Sequence, residues 1–171
     1  MSKKYIYLIF RVIIKEYDNG KYIGEWKNGK REGKGIFYFN NGDKYDGEFK
    51  NDKIEGKGIF YSNNGDKYEG EYKNDKKEGK GIYISIDGYK YEGDFKGGLR
   101  EGNGDILYRN GDRYEGEYKN DKKEGYGMYC YNNGDREMGN YINGKGVGIH
   151  AILTINGEIK NKLYGNSYVF S

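Results

Sequence analysis

Two stretches of this chain are nearly the same sentence: YEGEYKNDKKEGKG from Tyr68 to Gly81, and YEGEYKNDKKEGYG from Tyr114 to Gly127. Copies of the pattern also begin at Tyr22, Tyr45 and Tyr91, so it returns every 23 residues. A fixed period of this size marks a repeat architecture, in which a unit too small to bury a core alone is stabilised by stacking on its neighbours. Each copy places a glycine two residues after its tyrosine and an aromatic ring two further on: Tyr22/Gly24/Trp26, Tyr45/Gly47/Phe49, Tyr68/Gly70/Tyr72, Tyr91/Gly93/Phe95 and Tyr114/Gly116/Tyr118. Spacing by two puts all three positions on one face of a β-strand. A polar turn such as Asn74-Asp75-Lys76-Lys77 follows. A Gly-x-Gly pair then opens a second strand (Gly33/Gly35, Gly56/Gly58, Gly79/Gly81, Gly102/Gly104, Gly125/Gly127), and each unit closes on Asn-Asn-Gly or a close variant. The pattern predicts an all-β fold, an elongated, twisted, single-layer antiparallel array of hairpins.

Only 35% of the 171 residues are hydrophobic, which taken alone favours disorder. The periodic rings oppose that reading, because 17% of the chain is aromatic and 21 residues are Tyr, enough for a thin, one-sided core. Thirty Gly, no Pro, and pairs such as Asn41-Gly42, Asn64-Gly65, Asn110-Gly111 and Asn133-Gly134 signal tight hairpin turns. If Asn40-Asn41-Gly42 is a three-residue turn with Gly42 left-handed, Phe37 pairs with Tyr45, Gly35 with Gly47, Gly33 with Phe49 and Lys34 with Glu48. A two-residue Asn-Gly turn would instead pair Tyr38 with Tyr45 and split the apolar set between faces.

In the first register the rings and glycines share a face, and the glycines form bare troughs in which rings from the neighbouring hairpin lie, so that one layer covers itself. The opposite face pairs Glu48 with Lys34, Glu71 with Lys57 and Asp94 with Lys80. It also carries an apolar line, Ile36, Tyr38, Ile59, Tyr61, Ile82, Ile84, Leu107 and Met128, that the ring face does not need for its own packing. Of these, Ile36, Tyr38, Ile59, Tyr61, Ile82 and Ile84 are the candidate partner-binding residues. At about 4.8 Å per strand, each two-strand unit advances the ribbon by about 10 Å.

The ends depart from the pattern. Tyr5 to Tyr17 reads as a first strand, apolar on both faces, with Phe10 and Val12 where later units carry glycine. The opening MSKKYIYLIFRVII only faintly mimics a signal sequence, since Arg11 interrupts it and no small-residue cleavage site follows. A sixth unit keeps Gly139, Tyr141, Gly144, Gly148 and Gly157 in place, but Glu137 replaces the leading Tyr and His150 replaces the second Gly of the pair. Tyr164 continues the period into half of a seventh. The chain therefore divides into an atypical first strand (1–21), five full repeats (22–136), and a degenerate sixth with a partial seventh (137–171), all in one domain.

The unit Tyr-x-Gly-x-aromatic-x-x-Gly/Asp-x-x-x-Gly-x-Gly resembles the MORN repeat (membrane occupation and recognition nexus), without a break from Tyr22 to Gly134 and loosely on to Tyr164. The resemblance implies an extended β-hairpin array. It also implies a range of roles: membrane junctions, arrays beside the catalytic domain of a phosphatidylinositol-phosphate kinase or a methyltransferase, and cytoskeletal scaffolds made of little else. With no such catalytic domain in the sequence, this chain looks most like the MORN-only members. Phospholipid binding is likewise an implication of the resemblance.

Little in the sequence points to chemistry. A nucleophile needs a base within reach, yet His150 and Cys130 stand in different units and cannot supply a zinc site of the usual kind. The Gly-x-Gly pairs lack the Lys-Ser/Thr of a phosphate loop, and lysines interrupt any calcium loop. We therefore expect no catalytic residues, cofactor or metal. Net charge is +3 with both signs interspersed, which argues against nucleic acid, and the lone Cys130 excludes an intrachain disulfide and fits a cytoplasmic setting. Cations recur at one hairpin end, among them Lys53, Lys76, Lys77, Arg100, Lys122 and Lys123, which would form a basic edge for anionic lipid headgroups, diluted by Asp52, Asp75, Glu78 and Asp121. The favoured expectation is a scaffold that binds protein partners or a second copy of itself through its terminal strands. The alternatives are a peripheral membrane module and a regulatory piece of a larger enzyme.

Overall fold

The computed structural model describes residues 11–165. These form fourteen strands in one sheet, each hydrogen-bonded to its neighbours in chain order and all antiparallel, with no helix. The strands are β1 (Arg11–Tyr17), β2 (Gly20–Lys27), β3 (Lys30–Phe39), β4 (Lys44–Lys50), β5 (Lys53–Tyr61), β6 (Lys67–Lys73), β7 (Lys76–Ile84), β8 (Lys90–Lys96), β9 (Leu99–Leu107), β10 (Arg113–Lys119), β11 (Lys122–Cys130), β12 (Arg136–Ile142), β13 (Lys145–Leu153) and β14 (Ile159–Tyr164). The expected first strand is described only from Arg11. Its Tyr5–Phe10 portion lies outside the described residues, as does 166–171 of the half unit at the other end.

The three-residue turn is the one adopted. Gly42 sits at φ +91° and its N–H donates to the Phe39 carbonyl at 3.0 Å, while the Phe39 N–H donates to Asp43 O at 2.9 Å. Phe37 then faces Tyr45, Gly35 faces Gly47, Gly33 faces Phe49 and Lys34 faces Glu48. At the other end of each unit the turn is two residues, Asn51-Asp52, Asn74-Asp75 and Asn120-Asp121, with both residues left-handed. That is the twist-matched hairpin turn, which Asn and Asp tolerate.

On one face, T-shaped ring pairs run along the ribbon. Tyr22 meets Phe49 at 5.1 Å, Phe49 meets Tyr45 at 5.2 Å and Tyr45 meets Tyr72 at 5.3 Å. Tyr68 meets Phe95 at 5.0 Å, Phe95 meets Tyr91 at 5.2 Å, and the line continues to Tyr114 with Tyr141 at 5.0 Å. Phe49, Tyr72, Phe95 and Tyr118 are each wedged edge-on between their own unit's tyrosine and the tyrosine of the unit before, and Tyr141 lies between Tyr114 and His150. Phe49 and Phe95 are buried there, and the five leading tyrosines are essentially fully buried.

Trp26 departs from the expected core. It is only half-buried, tilted at 49° to Tyr22 with the ring centres 6.2 Å apart, and Lys15 Nζ lies over it at 4.5 Å. Its ring pairs with Tyr22, whereas the Phe49 ring is held between two tyrosines, Tyr22 and Tyr45.

A second expectation is corrected: the glycine trough of each of the five full units is filled by that unit's own leading tyrosine, not by a ring from the neighbour. In the first unit a Cβ on Gly24 or on Gly35 would lie 2.5 Å from the Tyr22 hydroxyl. A Cβ on Gly58 would lie 2.2 Å from the Tyr45 hydroxyl, and Gly47 is blocked by the same ring; Tyr68 lies likewise over Gly70 and Gly81. The neighbouring unit supplies the ring that packs edge-on against that tyrosine.

The two glycines of each Gly-x-Gly pair also differ in purpose. Gly35, Gly58, Gly81, Gly104 and Gly127 are troughs, whereas Gly33, Gly56, Gly79, Gly102 and Gly125 have φ between +62° and +89° and sit in a β-bulge opposite Glu25, Glu48, Glu71, Asp94 and Glu117. The bulge frees a backbone N–H, and the carboxylate accepts it: Lys34 N to Glu25 at 3.0 Å and Asn103 N to Asp94 at 3.0 Å.

Candidate functional site

With the packed rings turned to one side, the opposite side of the sheet is left uncovered, and it forms a groove of about 1160 Å³ reaching from Lys34 to Met138, with the Tyr126 ring among its lining. Its floor is bare backbone. Gly47/Gly58, Gly70/Gly81, Gly93/Gly104 and Gly116/Gly127 pair in register across successive strands, their Cβ side already occupied by tyrosine, so no side chain stands up from this strip.

One wall of the groove is a cross-strand ladder, Asp46, Ile59, Glu69, Ile82, Glu92, Asp105, Glu115, Met128 and Met138, each facing the next. The other wall carries the predicted charge pairs. Lys34 meets Glu48 at 2.8 Å and Lys80 meets Asp94 at 2.6 Å, and Lys57 stands opposite Glu71. The wall carboxylates take a cation from two residues earlier on their own strand, as in Lys67 to Glu69 at 2.9 Å and Lys90 to Glu92 at 2.8 Å.

Of the residues expected to bind a partner, Ile59 and Ile82 line the groove. Ile36 is in the same ladder, facing Asp46. Tyr38, Tyr61 and Ile84 stand one step outside, opposite Lys44, Lys67 and Lys90, and are 42%, 37% and 42% exposed. Met138, at the groove's far end, was not among the expected residues, because it sits in the sixth unit where the repeat pattern fades.

The cations expected along one edge separate into two sets. Lys53, Lys76 and Lys122 are exposed at the rim. Lys77, Arg100 and Lys123 are instead turned onto the ring face: Lys77 Nζ lies 4.6 Å from the Tyr68 ring centre, the Arg100 guanidinium 5.4 Å from Tyr91, and Lys123 Nζ 4.1 Å from Tyr114 and 4.8 Å from Tyr129. Adjacent residues on a strand point to opposite faces, which is why Lys76 and Lys77 part company. Burial lowers the Lys77 ammonium, and lowers Lys123 to about 8.

The carboxylates at this end have a task that a reading as charged surface overlooked. Glu32, Glu55, Glu78, Glu101 and Glu124 each accept the first backbone N–H of the next unit's turn, at 2.9–3.0 Å. Asp52, Asp75 and Asp121 accept the backbone N–H of Arg31, Ile54 and Arg100 in the unit before. Along the other edge Asp43, Asp66, Asp112 and Asp135 accept the N–H of Asn63, Ile86, Asn132 and Ile155. Their recurrence every 23 residues was the available signal.

Glu137 and His150 form the one fully buried pair of ionisable side chains in hydrogen-bond contact among the described residues. His150 Nδ1 lies 2.9 Å from Glu137 Oε1, and Nε2 lies 2.8 Å from the Asn140 carbonyl. A carbonyl only accepts, so Nε2 carries hydrogen and a single proton is held between Nδ1 and the carboxyl. The imidazole fills the Gly139 trough, the job tyrosine does elsewhere. Burial pushes the Glu137 carboxyl up, but hydrogen bonds from Tyr131, Tyr164 and Lys162 outweigh it and hold the group below its ordinary value. The pair lies under rings, away from the groove, and no three His, Cys, Asp or Glu among the described residues are grouped to hold a metal.

The MORN repeat family matches at residues 22–44, 45–67, 68–88, 91–113 and 114–136. The chain is a MORN repeat protein. The sixth unit, with its Glu137–His150 exchange, falls outside those matches. No curated protein matches the chain. Among solved structures, this MORN protein is similar to the SAS-4 TCP domain of Drosophila melanogaster, in complex with a proline-rich motif of Ana2, at 13% identity and a TM-score of 0.54, covering 96% of this chain and 97% of that one. The TCP10 domain of Danio rerio CPAP matches at 12% identity and a TM-score of 0.36, over 84% and 66%. The likeness to the SAS-4 domain is one of fold, a free-standing antiparallel sheet.

Proposed function

We propose that this MORN protein is a non-enzymatic scaffold whose groove holds an extended segment of a partner protein. The observation that carries this reading is the half-buried apolar series of Ile59, Ile82, Met128 and Met138, which lines the groove and lies outside the ring core that stabilises the sheet. Apolar surface left in water along a rigid frame is a mark of an interaction site. The SAS-4 TCP domain, a sheet of similar architecture that takes a proline-rich motif, supports an extended partner rather than a globular one. A photo-crosslinking residue at Ile59 or Ile82 in the full chain should form a discrete adduct with a second polypeptide, while the same residue at Lys122 on the rim should not. Absence of an adduct at both groove positions overturns the proposal.

Self-association is a second reading, favoured by apolar surface on the last two described strands, where Ile149 of β13 and Ile159 and Leu163 of β14 are 67%, 76% and 74% exposed. Sedimentation of an Ile159→Lys/Leu163→Lys variant tests it: dimer in the parent and monomer in the variant is the expected outcome, and a monomeric parent at high concentration removes the reading. A membrane-facing role rests on Lys53, Lys76 and Lys122, with Lys77, Arg100 and Lys123 committed to rings.

A further inference from the structure

The groove has a period, and that period selects the shape of its occupant. One wall carboxylate recurs per unit, Asp46, Glu69, Glu92 and Glu115, and two strands at about 4.8 Å each set these about 9.6 Å apart. A polyproline II helix has three residues per turn at about 3.1 Å each, about 9.3 Å per turn. Every third side chain of such a segment therefore returns to the same wall, with a drift of about 1 Å over the three steps from Asp46 to Glu115, well within the reach of a long side chain. An α-helix returns to one side at seven residues, about 10.5 Å, and drifts by nearly 3 Å over the same distance.

A partner β-strand fails for a different reason. Laid across the strands of this sheet it cannot join their ladder, and its own N–H groups would face the floor without acceptors. Proline has no N–H to satisfy, and its flat ring suits a floor of bare glycine backbone.

Charge settles the third residue. Six carboxylates line the groove, Asp46, Glu69, Glu71, Glu92, Asp105 and Glu115, against three lysines, Lys34, Lys57 and Lys80, and Lys44, Lys67, Lys90 and Arg113 reach the outer-wall carboxylates from just beyond it. The Glu69 and Glu92 side chains remain 55% and 60% exposed beside their lysines, so each has lone pairs left for a second donor.

Resting on the partner-protein reading above, we infer that the groove recognises a basic polyproline II segment with Lys or Arg at every third position, each cation over one of Asp46, Glu69, Glu92 and Glu115, and prolyl rings on the glycine floor. The test is fluorescence anisotropy of the full chain with three labelled peptides of equal charge: (Arg-Pro-Pro)5, (Arg-Pro-Pro-Pro)5 and (Arg-Gly-Gly)5. The first should bind at least about ten-fold tighter than the second, whose cations fall out of step, and tighter than the third, which must be ordered first. Glu69→Gln/Glu92→Gln should weaken the first about five- to ten-fold and abolish the preference for three-residue spacing. Equal binding of the three peptides reduces the effect to charge alone and overturns the inference, as does indifference to the double variant. If a groove cross-link forms but no peptide binds, the scaffold reading survives and this inference does not; if neither occurs, both fall.

Discussion

At the scale of single residues, the fold depends on what is missing from ten positions. A Cβ on Gly58 would sit 2.2 Å from the Tyr45 hydroxyl and 2.5–2.6 Å from ring carbons of a tyrosine with no exposed surface and nowhere to retreat. Gly97, unlike Gly58, is left-handed, at φ +60°, but nothing lies within 4 Å of its Cβ direction. Overpacking and backbone strain are thereby separated. Gly58→Ala should cost about 3 kcal/mol, and Gly97→Ala about 1 kcal/mol from the left-handed backbone alone. Urea denaturation midpoints for both variants check this; equal losses would mean that the troughs are not sterically filled. The sequence made the glycine positions plain and their shared face plain too, because both follow from period two. It did not reveal that the ring above each trough belongs to the same unit, since Tyr-x-Gly spacing puts both on one face without saying which way the tyrosine leans. Nor did it separate Trp26 from Phe95, which hold the same slot as letters, although Trp26 is tilted against Tyr22 and Phe95 sits edge-on between Tyr68 and Tyr91. The bulge was equally hidden: Gly33 and Gly35 look alike as letters, and only the backbone at Gly33 is left-handed.

At the scale of the repeat, the sixth unit is a compensated exchange. The trough-filling ring moves from the first strand to the second: Glu137 stands where tyrosine should, and His150 stands where glycine should and lies over Gly139. Each single reversion then conflicts with its partner. Glu137→Tyr brings a second ring to an occupied trough, and His150→Gly empties the trough and removes one of the four side-chain partners of a buried carboxylate, so each should cost about 3 kcal/mol. Glu137→Tyr/His150→Gly rebuilds a regular unit and should recover most of that loss, a coupling read by a double-mutant cycle; additive losses would show that the two positions act independently. The same pair predicts acid behaviour. The Glu137 carboxyl is held below its ordinary value of 4.5, so its share of stability is complete above that pH and is lost as pH falls through the lower, folded-state value. Urea midpoints between pH 7 and pH 3 should fall more for the parent than for Glu137→Gln. Glu and His in the tyrosine and glycine slots were visible in the sequence, but their contact was not: they are thirteen residues apart in strands whose register depends on the bulge between Met138 and Asn140.

At the scale of the whole ribbon, the core is a line of phenols, and that fixes how the molecule fails in alkali. Tyr22, Tyr45, Tyr68, Tyr72, Tyr91, Tyr114, Tyr118 and Tyr141 are all buried. Burial pushes the Tyr22 and Tyr91 hydroxyls up to about 12 from 10.0, and raises the others too. A group whose folded value lies above its unfolded value gives stability that is fully present below pH 10 and is lost as pH rises past it, because the unfolded chain then releases protons that the folded chain retains. Each tyrosine contributes a slope of about 1.4 kcal/mol per pH unit once pH is above 10, so eight together, about 11 kcal/mol per unit, match the whole stability of an ordinary domain. Lys77 and Lys123 act in the opposite sense: with Lys123 lowered to about 8 from 10.5, its charging penalty is relieved as pH rises from 8 towards 10. Stability should therefore hold or rise slightly from pH 8 to 10 and collapse just above it. Tyrosinate absorbance at 295 nm, followed together with far-ultraviolet circular dichroism, should show the buried phenols ionising in step with loss of the sheet. Ionisation of these eight rings one by one, while the sheet persists, would mean that they are not sealed beneath their neighbours and that the single layer does not cover itself.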